Sequence, residues 1–136
     1  MERGTGTANQ GWRNCRIKGQ IVSYDVDLLD NLSSRKILQM PEKFEDGGTY
    51  AIGGTNDCSL NITFNYVEVF GSLVDDLHLK FAKDTLPALR AFCDQYKRAE
   101  PWKDYWAPTP GNARAAIMRL ISFAEQHPEG VWMVGK

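Results

Sequence analysis

At 136 residues, 43% hydrophobic and 24% charged, the chain has the size and composition of one globular domain with a single core. A net charge of −1 leaves no basic surplus for the nucleic-acid backbone, so DNA is not an expected partner. No apolar run approaches the ~18 residues of a membrane span, and the polar start does not read as a signal peptide. Cys15, Cys58 and Cys93 are widely spaced and lack a CxxC pair, which fits a reduced cytosolic chain without a zinc motif.

Residues 1–11 are rich in Gly, Thr and Asn and carry no periodicity, so we expect a flexible arm ahead of one domain over 12–136. From Trp12 to about Leu29 the pattern is that of a strand, clearest where Tyr24, Val26 and Leu28 alternate with Asp25 and Asp27, with a bend at Gly19. Asp30-Asn31 turns the chain, and Arg35 to Met40 forms a second strand closed by Pro41. Glu45-Asp46-Gly47-Gly48 is a further turn before a short strand over Thr49-Tyr50-Ala51-Ile52 and the Gly53-Gly54 pair.

The next strand places Leu60, Ile62 and Phe64 on one face and Asn61, Thr63 and Asn65 on the other. That polar face is neutral, made of groups that donate and accept, where a solvent-facing strand more often carries Lys or Glu. The period then changes: Tyr66, Val69, Phe70 and Leu73 predict a helix with Asn65 as its N-cap. Leu77, Leu79 and Phe81 alternate with His78 and Lys80 as a short strand. Asp84 or Thr85 caps a helix burying Leu86, Leu89, Phe92, Cys93 and Tyr96, with Pro87 expected in its first turn. After an aromatic loop with Trp102, Tyr105 and Trp106, Thr109 as N-cap and Pro110 at N1 open a helix burying Ala113, Ile117, Leu120, Ile121 and Ala124. Val131 to Val134 is a last strand. The expected fold is α+β: an N-terminal antiparallel β-meander, about three helices packed on one face, and a C-terminal strand.

Catalytic signatures are missing from this pattern: there is no GxSxG, HExxH, P-loop or Rossmann fingerprint. His78 reads as a surface histidine or a near-neutral acid–base, and His127 as a helix C-cap or a functional imidazole. Asp25 and Asp27 share a strand face, where they guard a sheet edge or bind a cation. Binding is therefore the expected activity, with no cofactor. At the last helix start, the N–H groups of Gly111 and Asn112 are positioned to attract an anion, and Arg114 adds a charge-assisted contact; a ligand-free cap is the alternative. Tyr105 and Trp106 beside it suit stacking on a base, or a plug over the helix end, or a subunit interface.

The segments Tyr50-Ala51-Ile52-Gly53-Gly54-Thr55, Leu60-Asn61-Ile62-Thr63-Phe64-Asn65-Tyr66, Asp104-Tyr105-Trp106-Ala107-Pro108-Thr109-Pro110-Gly111-Asn112-Ala113 and His127-Pro128-Glu129-Gly130-Val131-Trp132 resemble a group of small phage proteins. Over about residues 49–134 the chain resembles the phage-encoded anti-Thoeris sponge family, whose members sequester cyclic ADP-ribose isomers made by bacterial TIR-domain defence proteins without cleaving them. The resemblance implies a homo-oligomer (a dimer or dimer-based hexamer) with pockets shared between subunits, acting in the cytoplasm of the infected bacterial host, and further sites for cyclic oligonucleotides. It assigns Asn112 and Arg114 to a pyrophosphate, Asn61, Asn65 and Tyr66 to ribose and base, and Phe81 to stacking. Residues 1–48 lie outside it, and Pro110 stands where the pattern commonly has an acidic residue. The other reading is a phage inhibitor that binds a host defence protein through the aromatic loop.

Overall fold

The computed structural model describes residues 23–45 and 54–136. The expected arm, the Trp12–Val22 part of the first strand with Gly19, the turn beyond Glu45, the Thr49–Ile52 strand, Gly53 and Cys15 lie outside the described residues.

Strand β1, Ser23–Leu29, is the centre of an antiparallel three-stranded sheet, flanked by β4 (Ser59–Thr63) and β5 (Val131–Gly135). The register sets Val26 opposite Leu60 and Val134, and Asp25 opposite Asn61 and Gly135. Alternation then sorts the faces as the sequence implied: Tyr24, Val26, Leu28, Leu60, Ile62 and Trp132 point inward and are at most 1% exposed. A two-stranded ribbon, β2 (Gln39–Phe44) with β3 (Thr55–Asp57), continues from the end of this sheet. Leu28 N–H to the Cys58 carbonyl and Cys58 N–H to the Leu38 carbonyl, both 2.8 Å, join the sheet to the ribbon.

Three α-helices occur among the described residues: α1 (Val67–Phe70), α2 (Ala82–Gln95) and α3 (Pro110–Gln126). The mixed α+β class with antiparallel strands and a C-terminal strand is as expected. The α3 start also matches, with the Thr109 hydroxyl accepting Asn112 N–H at 3.1 Å and Pro110 in the first turn. Helices α2 and α3 lie against each other and close the core with Leu89, Phe92, Ile117, Leu120 and Phe123.

Four local expectations are corrected. The second strand spans Gln39–Phe44 rather than Arg35–Met40: Arg35 has φ +55°, which breaks the pleat ahead of it, and the strand runs through Pro41 because its pairing with β3 shifts register between Gln39 and Phe44 and asks no N–H of that residue. Asn65 is not a cap: Thr63 accepts Asn65 N–H at 3.2 Å and opens a 3-10 turn, Phe64–Tyr66, that precedes α1. The stretch Leu77–Phe81 is not a regular strand. Leu77 ends a 3-10 turn and Leu79 has φ +67°, which breaks the pleat; Leu79 N–H and the Lys80 carbonyl nevertheless bond Trp132, and Phe81 bridges Val131, closing the β5 edge. Helix α2 begins at Ala82 after Phe81, so neither Asp84 nor Thr85 is its cap and Pro87 falls in the second turn. Thr85 instead turns inward, donating to the Ala82 carbonyl at 2.8 Å and accepting the buried Trp132 indole N–H at 2.9 Å.

Candidate functional site: an aromatic strap on the edge of the sheet

Among the described residues strand β4 is the edge of its sheet, and an edge exposes backbone donors and acceptors that must be satisfied. Here one side chain satisfies a pair of them. The Tyr105 hydroxyl accepts Thr63 N–H at 3.1 Å and donates to the Asn61 carbonyl at 3.3 Å. The segment carrying Tyr105, residues 97–109, thus lies as a strap along β4. Further bonds hold it: the Tyr66 hydroxyl donates to the Tyr105 carbonyl, and Asn65 Nδ2 donates to the Trp106 carbonyl at 3.0 Å. The rings of Tyr66, Tyr105 and Trp106 meet edge to face in sequence, with centroids 5.7 and 5.0 Å apart.

Asn112 is the pin of the strap. It is 6% exposed; Oδ1 accepts Trp102 N–H at 2.7 Å, while Nδ2 donates to the carbonyls of Asp104 and Ala107, each 2.9 Å, and more weakly to Tyr105 at 3.4 Å. Gly111 is the second constraint, since a Cβ there would stand 1.8 Å from the Glu100 carbonyl oxygen. The expected open, anion-attracting helix start is therefore corrected: the strap backs onto Gly111, and the Thr109 cap takes the Asn112 N–H. Arg114 faces α2 instead, its Nε donating to the Cys93 carbonyl at 3.0 Å near the end of that helix, where a cation suits the dipole.

Between strap and sheet lies a cavity of about 180 Å³, walled by Leu60, Tyr66, Trp102, Tyr105, Asn112 and Ala116 with Lys103 at its margin. Of the expected site residues, Tyr66, Tyr105 and Asn112 line it. Asn61, Thr63, Asn65, Trp106, Thr109 and Gly111 build its frame through the bonds above. Arg114 sits on the α2 side, and Phe81 bridges β5 at the opposite edge of the sheet, away from β4. The Asn61 amide, expected to face a ligand, donates to Ser23 Oγ at 3.0 Å and Asp25 Oδ1 at 2.8 Å on the outer sheet face. Pro101, Lys103, Ala115 and Ala116 are lining residues that sequence reasoning did not single out. Small residues on a helix carry no visible signal for a cavity; Lys103, the cation inside the aromatic loop, did.

Burial holds the Tyr66 phenol far above its ordinary pKa, with the nearby Tyr105 and Asp104 adding to the effect, so it remains a hydrogen-bond donor. Burial likewise pushes the Cys58 thiol to about 12, which removes it as a nucleophile. A second, more open recess of about 280 Å³ lies where Gln126–Gly130 meets Leu38, and there His127 Nε2 donates to the Gln39 carbonyl at 2.6 Å. His78 Nδ1 accepts Val134 N–H at 3.0 Å, so both imidazoles hold backbone. No described helix is long and apolar enough to cross a membrane. Comparison with family models, curated proteins and solved structures finds no match for this chain.

Proposed function

We propose that this chain is a non-catalytic binding protein that sequesters a cyclic ADP-ribose-type signal, with cyclic oligonucleotides as further ligands, and so blocks TIR-domain defence signalling in the cytoplasm of an infected bacterial host. One observation carries the reading. Two of the four segments on which the sponge-family resemblance rests, 42 residues apart at Thr63 and Tyr105, meet around one aromatic cavity. Its walls suit a base, because a nucleobase offers a π-face to aromatic side chains whatever else it carries. At about 180 Å³ the cavity is smaller than the roughly 300–1,000 Å³ of complete small-molecule sites. Such a ligand seats one ring there and extends over Trp102 and Lys103, where a second copy of the chain in a homo-oligomer covers it. Sequestration asks for affinity and abundance rather than transition-state stabilisation, in keeping with a site whose polar groups are spent on the fold.

Isothermal titration with cyclic ADP-ribose isomers, followed by heat release and mass analysis of the ligand, tests this. Saturable binding with the ligand returned intact is the expected result. No binding by any isomer overturns the proposal, and a chemically changed ligand replaces it with catalysis. Trp102, 58% exposed on the strap, favours a second reading as an anchor for a host defence protein. A stoichiometric protein captured from host lysate, lost with Trp102→Ala, without nucleotide binding, selects that one.

A further inference from the structure

The cavity's polar side chains face the protein rather than the space they enclose. The Tyr66 hydroxyl is on the Tyr105 carbonyl, the Tyr105 hydroxyl lies between Thr63 N–H and the Asn61 carbonyl, and both ends of the Asn112 amide are engaged by the strap. The side chains of Leu60, Pro101, Ala115 and Ala116 add only carbon. Two side-chain polar groups remain on the lining, the Trp102 indole N–H and the Lys103 ammonium, and both residues are exposed. Each is a donor with no acceptor capacity. Every purine presents N7 to a donor, so with Lys103 on the phosphate the lone indole N–H meets adenine and guanine alike; selecting guanine takes a pair of donors on O6 and N7, and selecting adenine takes an acceptor on its amino group.

We infer that the cavity is a stacking slot that holds one planar ring of the ligand without reading its edge, with Lys103 as its charge contact. This deepens the reading of the cavity as the ligand site and rests on it. The ligand class follows: phosphorylated purine nucleosides of any base, selected by ring and charge. Loss of the ring removes the stacking surface, whereas exchange of one purine for another leaves it unchanged.

The test is an NMR titration of the full chain with AMP, GMP, IMP and ribose 5-phosphate, following the Trp102 indole and the Tyr105 and Ala116 amides. The three nucleotides should bind within about threefold of one another, with ribose 5-phosphate at least about 10-fold weaker, the scale of one stacked base. Trp102→Ala should weaken all three by a similar factor, and Lys103→Ala should weaken them while flattening their salt dependence. A preference above about 30-fold for one base overturns the inference, since that is the discrimination a single specific edge contact supplies. So does equal binding of ribose 5-phosphate, or no shift at these three positions with any purine nucleotide. The two proposals separate cleanly. Even binding of the nucleotides with no cyclic ADP-ribose binding removes sequestration and keeps the slot. A cyclic ADP-ribose complex that rejects the guanine and hypoxanthine analogues keeps sequestration and removes the slot.

Discussion

Asn112 is the residue at which a ligand role and a structural role give different numbers. If its amide served chiefly a phosphate, Asn112→Ala would cost affinity and leave stability nearly unchanged. The structure gives it three good hydrogen bonds, Trp102 N–H at 2.7 Å and the Asp104 and Ala107 carbonyls at 2.9 Å, in a site 6% exposed. At roughly 0.5–1.5 kcal/mol each, their loss sums to about 1.5–4.5 kcal/mol, before any ligand is added. Urea denaturation of the ligand-free protein should show this loss in ΔG with an unchanged m-value. Asn112→Asp goes further at pH 7: it replaces the two donors of Nδ2 by an acceptor aimed at carbonyl oxygens, and buries a charge. Such a carboxyl has a folded-state pKa above its unfolded value of about 3.9. The Asp variant should therefore approach Asn112→Ala in stability below about pH 4 and fall behind it as pH rises through the folded-state pKa. A loss under about 1 kcal/mol for Asn112→Ala, below the cost of even one buried partner left unsatisfied, refutes the pin and returns the residue to ligand contact.

Gly111→Ala should destabilise by more than about 2 kcal/mol in thermal melts, although Gly→Ala inside a helix ordinarily gains about 1 kcal/mol, because the new methyl meets the Glu100 carbonyl oxygen at 1.8 Å; a neutral or stabilised variant would show that the strap yields. Thr85→Val keeps the shape but leaves the buried Trp132 indole N–H without its 2.9 Å acceptor, so a cost of about 1–3 kcal/mol is expected in chemical denaturation, and equality with wild type counts against that bond. Burial raises the Asp27 pKa despite the lowering effect of the Ser59 hydroxyl at 2.5 Å, with Asp25 and Asp57 adding to the rise. A folded pKa above the unfolded one means that stability from Asp27 is full below the unfolded pKa and declines as pH rises through the folded value. Asp27→Asn should accordingly gain stability relative to wild type at pH 7 and lose that advantage at pH 3; an advantage that is absent, or independent of pH, contradicts the assignment.

Some of this was written in local sequence. Alternation over Tyr24–Leu28 and Leu60–Ile62 is enough to place those side chains in the core, since a strand turns alternate residues to opposite faces and a half-buried sheet wants one face apolar. Thr109-Pro110 set the start of α3 because the cap hydroxyl bonds a backbone N–H three residues on, an interaction that needs no other part of the chain. The neutral face of Asn61, Thr63 and Asn65 and the aromatic run to Trp106 were visible as unusual, and they do converge on one cavity frame.

What those residues do there was decided by tertiary structure. Whether Asn112 meets a phosphate or a carbonyl depends on where residues 102–107 lie, and nothing in the Thr-Pro-Gly-Asn motif specifies that. Asn65 looked like a cap because Thr63, two residues earlier, competes for the same role, and the choice rests on the backbone course out of β4. Tyr105 became the closure of a sheet edge only because β4 is an edge, a consequence of β5 returning from the C-terminus to pair with β1. The sequence by itself determined the faces of the strands and the start of the last helix, because those depend on neighbours within a few residues. The strap, its pin and the cavity arose from pairings across about forty residues, which local pattern does not encode.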